Sequence, residues 1–333
     1  MPATSTGASL TTQDVYQLVA ADLVKVEEEL QSYVGSSIRP IADIGEHLLN
    51  AGGKRIRPAL LLLTGKMLGG VTPSMIRLAA VVELIHNATL VHDDIIDEAD
   101  TRRGIPTANV QWGNSMTVLA GDWLYMQAFY VALGEKNLDI LATLIEITQQ
   151  MVEGEMLQLT LLGKTDVPRD QVLDIVKRKT AFLFAGCMKL PAISASLDAE
   201  ATKCLASIGM NLGMAFQLVD DLLDLTATRE SLGKPVAGDL KEGKLTLPVS
   251  FALGNGNADA LQKVQTVMAE RGFQSVRSTE ILTLVEKSDG LGQTRRIAED
   301  FVQQARQSLA KFPPSVYRDA IAAIPDFILN RTA

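Results

Sequence analysis

Two stretches of the chain share one acidic spacing. LVHDDIID at Leu90–Asp97 and QLVDDLLD at Gln217–Asp224 each place Asp-Asp-x-x-Asp at the end of a long apolar run. Residues four apart on a helix share a face, so Asp93 stands above Asp97 and Asp220 above Asp224. Ile95–Ile96 and Leu222–Leu223 between them hold the acids against a core. Like charges at this spacing repel by roughly 0.2–0.5 kcal/mol per pair, and acids at a helix C-terminus meet an unfavourable dipole. The arrangement therefore implies a cation. Carboxylates are the hard oxygen ligands of Mg²⁺, which keeps waters and substrate phosphate oxygens in its remaining positions. Two such helices facing one cleft predict a magnesium site that handles phosphate.

A diphosphate carries more charge than one metal offsets, and four compact basic elements supply the rest. AGGKRIRP sets Lys54, Arg55 and Arg57 between a glycine pair and the start of a helix, where free backbone N–H groups favour anions. TRRG at Thr101–Gly104 follows the first acidic motif, and KRKTA offers Lys179 and Thr180 from a helix. LGKPVAGDLKEGKLTLP places Lys234 and Lys244 on a loop beyond the second motif. Arginine suits bidentate phosphate contact and lysine acts as a point charge. Taken singly, each element reads equally well as ordinary surface charge; their placement argues against that. His86, two turns before Asp93, reads as a core histidine or a phosphate donor. Glu98 and Asp100 read as solvated charge.

The elements that must position these groups are helical. Apolar residues recur at three- and four-residue spacing almost throughout, which predicts an all-α chain. Helices are expected at about 13–34, 38–50, 57–68, 74–98, 114–133, 137–162, 169–187, 199–226, 244–254, 258–271, 276–288, 291–311 and 315–330. Pro58, Pro73 and Pro168 sit where first helical turns begin, the position that tolerates proline. No linker divides the chain, so residues 13–333 are expected to form a single large helical bundle, with the two acidic helices facing a shared cleft. The polar segment 1–12 is expected to be a disordered tail and lacks the pattern of a signal peptide.

Composition bounds the function. At 333 residues and 47% hydrophobic the chain buries a sizeable core, and its net charge of −8 argues against a nucleic-acid partner. Two cysteines without C-x-x-C spacing give neither a disulfide framework nor a zinc site, which fits a reducing cytoplasm. Charge or amide breaks each apolar stretch before membrane-spanning length, which leaves peripheral membrane association open.

Together GGKRIRP, LIHNATLVHDDIIDEADTRRG, GDWLY, KTA, FQLVDDLLD and LGKPVAGDLKEGKLTLP, in this order, resemble the trans-prenyltransferases, the all-trans polyprenyl diphosphate synthases, and most of all the bacterial long-chain type. The resemblance runs from Ile44 to the C-terminus. It implies an all-α fold with a central cavity between long helices, a homodimer, and condensation of isopentenyl diphosphate with an allylic diphosphate assisted by three Mg²⁺. It further implies metal binding by Asp93, Asp97, Asp94, Asp220 and Asp224. Arg102, Lys179, Lys244 and Lys234 would hold the allylic diphosphate. Lys54, Arg57, His86, Arg103 and Gly53 would hold isopentenyl diphosphate, with Thr180 and Gln217 aiming oxygen dipoles at the allylic cation. Two departures stand out: Ala237 replaces a usual glycine, and Asn87 a commoner threonine.

The product must grow somewhere apolar. From Asp93 back to Val81 is about 18 Å of helix at ~1.5 Å per residue, past Thr89 and Ala88. Farnesyl-type relatives carry aromatic rings at those two positions; here both are small, which implies a long product. Met126, Phe129, Tyr130 or Leu133 would then form the tunnel floor, or else plain core. Alternatives are a shorter-chain synthase and a non-catalytic subunit of a heteromeric one. A phosphohydrolase built on VHDD would need further histidines, and only His47 and His86 remain. A terpene cyclase would replace the second acidic motif.

Overall fold

The computed structural model describes residues 10–226, 237–254 and 257–329. Its centre is helix α5 (Pro73–Ile96), started by Thr72, whose hydroxyl accepts from the Met75 N–H, and by Pro73 in the first turn. Thr72 and Pro73 thus satisfy two of the orphan-donor requirements of a helix start. Leu78, Val81, Val82, Leu84, Ile85, Ala88 and Val91 on α5 are fully buried. Around it pack α2 (Ala20–Val34), α4 (Ile56–Met67) and α7 (Asn114–Leu133). The smaller α1 (Thr12–Gln17), α3 (Arg39–Asn50) and α6 (Ala108–Trp112) close the bundle's N-terminal side.

Helix α8 (Leu138–Leu161) leads to a long composite helix: α9 (Arg169–Val176), a π turn at Lys177–Ala181, and α10 (Phe182–Ser194). Helix α10 packs against α11 (Ala199–Thr226) at close range, since a Cβ on Gly209 would stand 2.4 Å from the Phe184 carbonyl oxygen and one on Gly213 2.6 Å from Ala181 Cα. Beyond α11 come α12 (Gly238–Lys241), α13 (Leu247–Ala252), α14 (Ala258–Glu270), α15 (Ser278–Lys287), α16 (Gly290–Leu309) and α17 (Val316–Leu329). Helices α12 to α15 gather a second, smaller core of Leu240, Val249, Val264, Ile281 and Val285.

The architecture is the all-α bundle expected, with instructive differences. A hairpin of two-residue strands, β1 (Thr101–Arg102) and β2 (Ile105–Pro106), turns through Arg103 (φ 53°) and Gly104 (φ 80°), the positive-φ pair of a tight hairpin turn. The helix expected at 169–187 continues to Ser194, carrying Pro191 inside it, and is interrupted within the expected span by the π turn. Among the described residues α5 is long and apolar enough to cross a membrane, although 72% of its most apolar window is buried inside the protein. Its charges are too few to break the run, and one of them, Glu83, is paired with Arg55 within the core. Of the segment 1–12 expected to be disordered, residues 10–12 are described: Leu10 packs on the core and Thr11 caps α1.

Candidate active site

A cavity of about 1010 Å³ opens among α5, α7, α8, the π turn and α11. Gly53, Lys54, Arg57, His86, Thr89, Asp93, Arg102, Arg103, Lys179, Thr180, Gln217 and Asp220 line it, so elements distant in sequence deliver both acids and bases to one space. A smaller cavity of about 130 Å³ shares Lys179, Thr180 and Gln217 with it and adds Asp221, Asp239 and Lys244.

The acids are crowded. Burial pushes the Asp93 carboxyl up to about 6; Lys179 and Lys244 pull it down, while Glu155 and Asp97 push with burial. Burial, then Asp239, raises Asp224 to about 7, and burial with the same neighbour holds Asp221 well above the carboxylate range. Lysines and arginines already engage the first motif. Lys244 Nζ lies 2.9 Å from Asp97 Oδ1, and Lys179 Nζ lies 2.5 Å from Glu155 and 3.8 Å from Asp93. Arg102 Nε donates to Asp94 at 2.7 Å. Asp94 is buried and packed toward Arg102, so it faces the hairpin, in contrast to the open carboxylate of Asp93. Asp224 accepts from the Gly238 and Asp239 N–H groups at 3.0 and 3.3 Å, and so organises the following loop as well as any ligand. Ala237 there takes the left-handed conformation (φ 54°) in which glycine is usual.

Among the described residues no three Asp, Glu, His or Cys side chains converge to hold a metal unaided. The donor set nevertheless fits Mg²⁺: hard carboxylates, more negative charge than the site neutralises comfortably, and room for phosphate oxygens to complete the shell.

The basic side is poised for an anion. Arg57 Nε is buried with no hydrogen-bond partner among the described residues, and its guanidinium lies over the Phe184 ring at 5.1 Å. An unpaired buried donor of this kind is costly unless a ligand satisfies it. Burial, then Arg57, Arg103, Arg102 and Arg55, holds His86 well below the ordinary histidine range. It is therefore a neutral donor at pH 7. Thr180 donates to Gln217 at 2.9 Å, and Gln217 donates to Asp221 at 3.0 Å, a relay that fixes the orientation of the amide.

The π turn shapes this wall. Its Phe182 N–H donates to the Lys177 carbonyl, widening the helix by one residue where Lys179 and Thr180 face the cavity. Gly154 on α8 admits the turn: a Cβ there would stand 2.7 Å from Arg178 Cβ and 2.9 Å from the Lys179 nitrogen.

Two expectations change. Ala88 is fully buried and does not line the cavity, whereas Thr89 does; neighbouring helical residues point about 100° apart, and only one meets the opening. Met126, Tyr130 and Leu133 are 62%, 73% and 58% exposed, so they form neither tunnel floor nor core in the single chain, and Phe129 packs on the core. Glu98 and Asp100 are exposed as expected, Glu98 facing Arg271 at 3.3 Å. Lys234 lies outside the described residues.

Sequence reasoning left out Glu83, His92, Asp122, Glu155 and Phe216, all lining the cavity. His92 and Asp122 sit in the quoted motifs: the His92 ring contacts Gly121, where a Cβ would come within 2.3 Å, and its Nε2 lies 3.5 Å from Asp122. GDWLY thus held a signal in its glycine, namely close approach of a ring.

Residues 39–284 match the family model for polyprenyl synthetase. The octaprenyl diphosphate synthase of Escherichia coli is 34% identical over 319 residues, 96% of this chain and 98% of that one. The structure is similar to a polyprenyl synthase from Caulobacter crescentus, crystallised with calcium and isoprenyl diphosphate (TM-score 0.92, 33% identity, 98% and 99% of the chains). It is similar too to a decaprenyl diphosphate synthase from Rhodobacter capsulatus (TM-score 0.90, 33% identity, 96% and 99%).

Proposed function

The chain belongs to the polyprenyl synthetase family, and on that premise we propose that it is a prenyl transferase condensing isopentenyl diphosphate with an allylic diphosphate to give a long-chain all-trans polyprenyl diphosphate. The observation that carries this reading is one cavity lined both by the acids Asp93 and Asp220 and by the bases Lys54, Arg57, Arg102, Arg103 and Lys179.

Asp93, Asp97 and Asp220, assisted by Asp94 and Asp224, would hold Mg²⁺, three ions with substrate present, which neutralise charge on the departing diphosphate. Arg102, Lys179 and Lys244 hold the allylic diphosphate as its C–O bond breaks and the bonding pair leaves with the diphosphate. These cations stand fixed where charge develops, which is where a barrier is lowered most. Lys54, Arg57, Arg103 and neutral His86 bind isopentenyl diphosphate with its double bond toward the allylic cation. The alkene pair forms the new C–C bond, and loss of a proton to the departed diphosphate restores a double bond in a product one unit longer. Thr180 and Gln217 turn oxygen dipoles toward the transient positive charge.

The long product is supported by Thr89, a small side chain where the cavity meets α5. A cytoplasmic homodimer with peripheral membrane contact for release completes the proposal. Incubating the purified protein with Mg²⁺, isopentenyl diphosphate and farnesyl diphosphate, followed by chromatography of the products, tests it. Long polyprenyl chains are expected; absence of isopentenyl incorporation would overturn the proposal.

A further inference from the structure

Lys54 faces the cavity from the short loop between α3 and α4 and Arg57 from the first turn of α4, and that loop is held from behind. Arg55 between them adopts a left-handed conformation (φ 48°, ψ 35°), and Gly52 has φ 68°. The Arg55 guanidinium is engaged by protein acids: Nε and Nη2 donate to Glu27 at 2.5 and 3.2 Å, and Nη1 donates to Glu83 at 2.8 Å. The Tyr16 hydroxyl donates to the Lys54 carbonyl. Burial, then Glu83, pushes this phenol up to about 12, so it keeps its proton. A Cβ on Gly53 would stand 3.1 Å from the terminal nitrogens of both Arg55 and Arg103. Two guanidinium groups thus flank one glycine.

Such a loop does not hold itself. A left-handed conformation is disfavoured for any residue with a Cβ, and the adjacent cations repel. The compensating groups are Glu27 on α2, Tyr16 on α1 and Glu83 on α5. Glu27 and Tyr16 do not line the cavity, and both precede the segment matched by the family model, residues 39–284.

We propose that Glu27 and Tyr16 are positioning residues for isopentenyl diphosphate: through Arg55 and the Lys54 carbonyl they fix the loop that presents Lys54 and Arg57 to the diphosphate. The inference rests on the proposed function, and it gives the first two helices a part in substrate specificity. Glu27→Gln keeps the shape and removes the charge; Tyr16→Phe removes only the hydroxyl.

The test is steady-state kinetics with each substrate varied, alongside calorimetric titration of isopentenyl diphosphate. In Glu27→Gln the KM and Kd for isopentenyl diphosphate are expected to rise about tenfold, the scale at which small displacements of positioning groups act. The double variant should rise further, while kcat and the KM for farnesyl diphosphate stay within about twofold, as for loss of ground-state binding. Glu27→Asp should recover part of the loss. Unchanged isopentenyl affinity, or equal losses for both substrates together with a lowered melting temperature, would overturn the proposal. Should the wild type bind isopentenyl diphosphate without elongating it, the functional reading fails while the titrations still decide the positioning role. A wild type that binds none overturns both.

Discussion

Asp93 shows how one residue sets activity against stability. Its carboxyl rises from 3.8 to about 6, burial being the chief cause. A raised carboxylate pKa means that the native state binds the proton more tightly than the unfolded one. Stability therefore declines as pH climbs from about 4 through 6, and above that the full penalty, on the order of 3 kcal/mol, is present. Asp93→Asn is expected to raise the melting temperature of the metal-free protein at pH 7.5 by a few degrees, to do so much less at pH 4, and to lower kcat by about 10²–10³-fold. Melting curves at both values of pH, with one rate assay, check it. Thr89 and Ala88 make a second pair. Thr89→Phe, projecting into the cavity, should shorten the product by chromatography. Ala88→Phe should overpack the core by about 1–3 kcal/mol and leave product length unchanged. The acidic motifs were legible because a spacing of four puts both ends on one face. Which of two adjacent small residues met the opening was not, since that depends on how α5 is rotated against α7 and α10.

At the scale of the element, the composite helix places Lys179 and Thr180, the first proposed to hold the allylic diphosphate and the second to face the allylic cation. A regular α-helix through Lys177–Ala181 would rotate Lys179 and Thr180 away from their present directions, and Gly154 is the residue that lets α8 come close enough to the π turn. Gly154→Ala is expected to displace that turn, raising the KM for the allylic diphosphate and lowering kcat by tens-fold or more, on the scale of up to about 10²-fold for a 1 Å misplacement. The KM for isopentenyl diphosphate, proposed to bind at Lys54 and Arg57 around the start of α4, should change far less. Initial rates with each substrate varied decide it; equal effects on both would mean that the turn is not a separable element. KRKTA read correctly as helical and basic. The π turn left no trace within KRKTA, and Gly154, the residue that makes room for it, lies on another helix. In AGGKRIRP the residue types alone offer three cations and the resemblance singles out Lys54 and Arg57; the partners on α2 and α5 supply the physical reason, since Glu27 and Glu83 bind Arg55 inward.

At the scale of the molecule, helices α7 and α8 present an apolar face that the single chain does not cover. Leu119, Met126, Tyr130, Leu138 and Met156 are 63%, 62%, 73%, 78% and 62% exposed, although buried positions such as Ala120, Leu124 and Ala128 line the opposite side of α7. The sequence could not separate the two sides, since α7 is apolar around its circumference and offers no polar stripe to orient it. Contiguous exposed apolar surface of this kind marks an interface, and a second copy of the chain is the occupant the family resemblance implies. Val118 and Met156 belong both to this face and to the cavity rim, so pairing would cover apolar surface beside the growing product. A stable pair needs about 1,200–2,000 Å² of total burial, which the lengths of α7 and α8 allow. Light scattering should therefore give twice the 35.9 kDa chain mass for the wild type. Met126→Glu with Tyr130→Glu, carboxylates at the centre of the face and remote from the acidic motifs, should give a folded monomer with unchanged helix content by circular dichroism. A wild type that runs as a monomer at micromolar concentration would leave this face to some other partner.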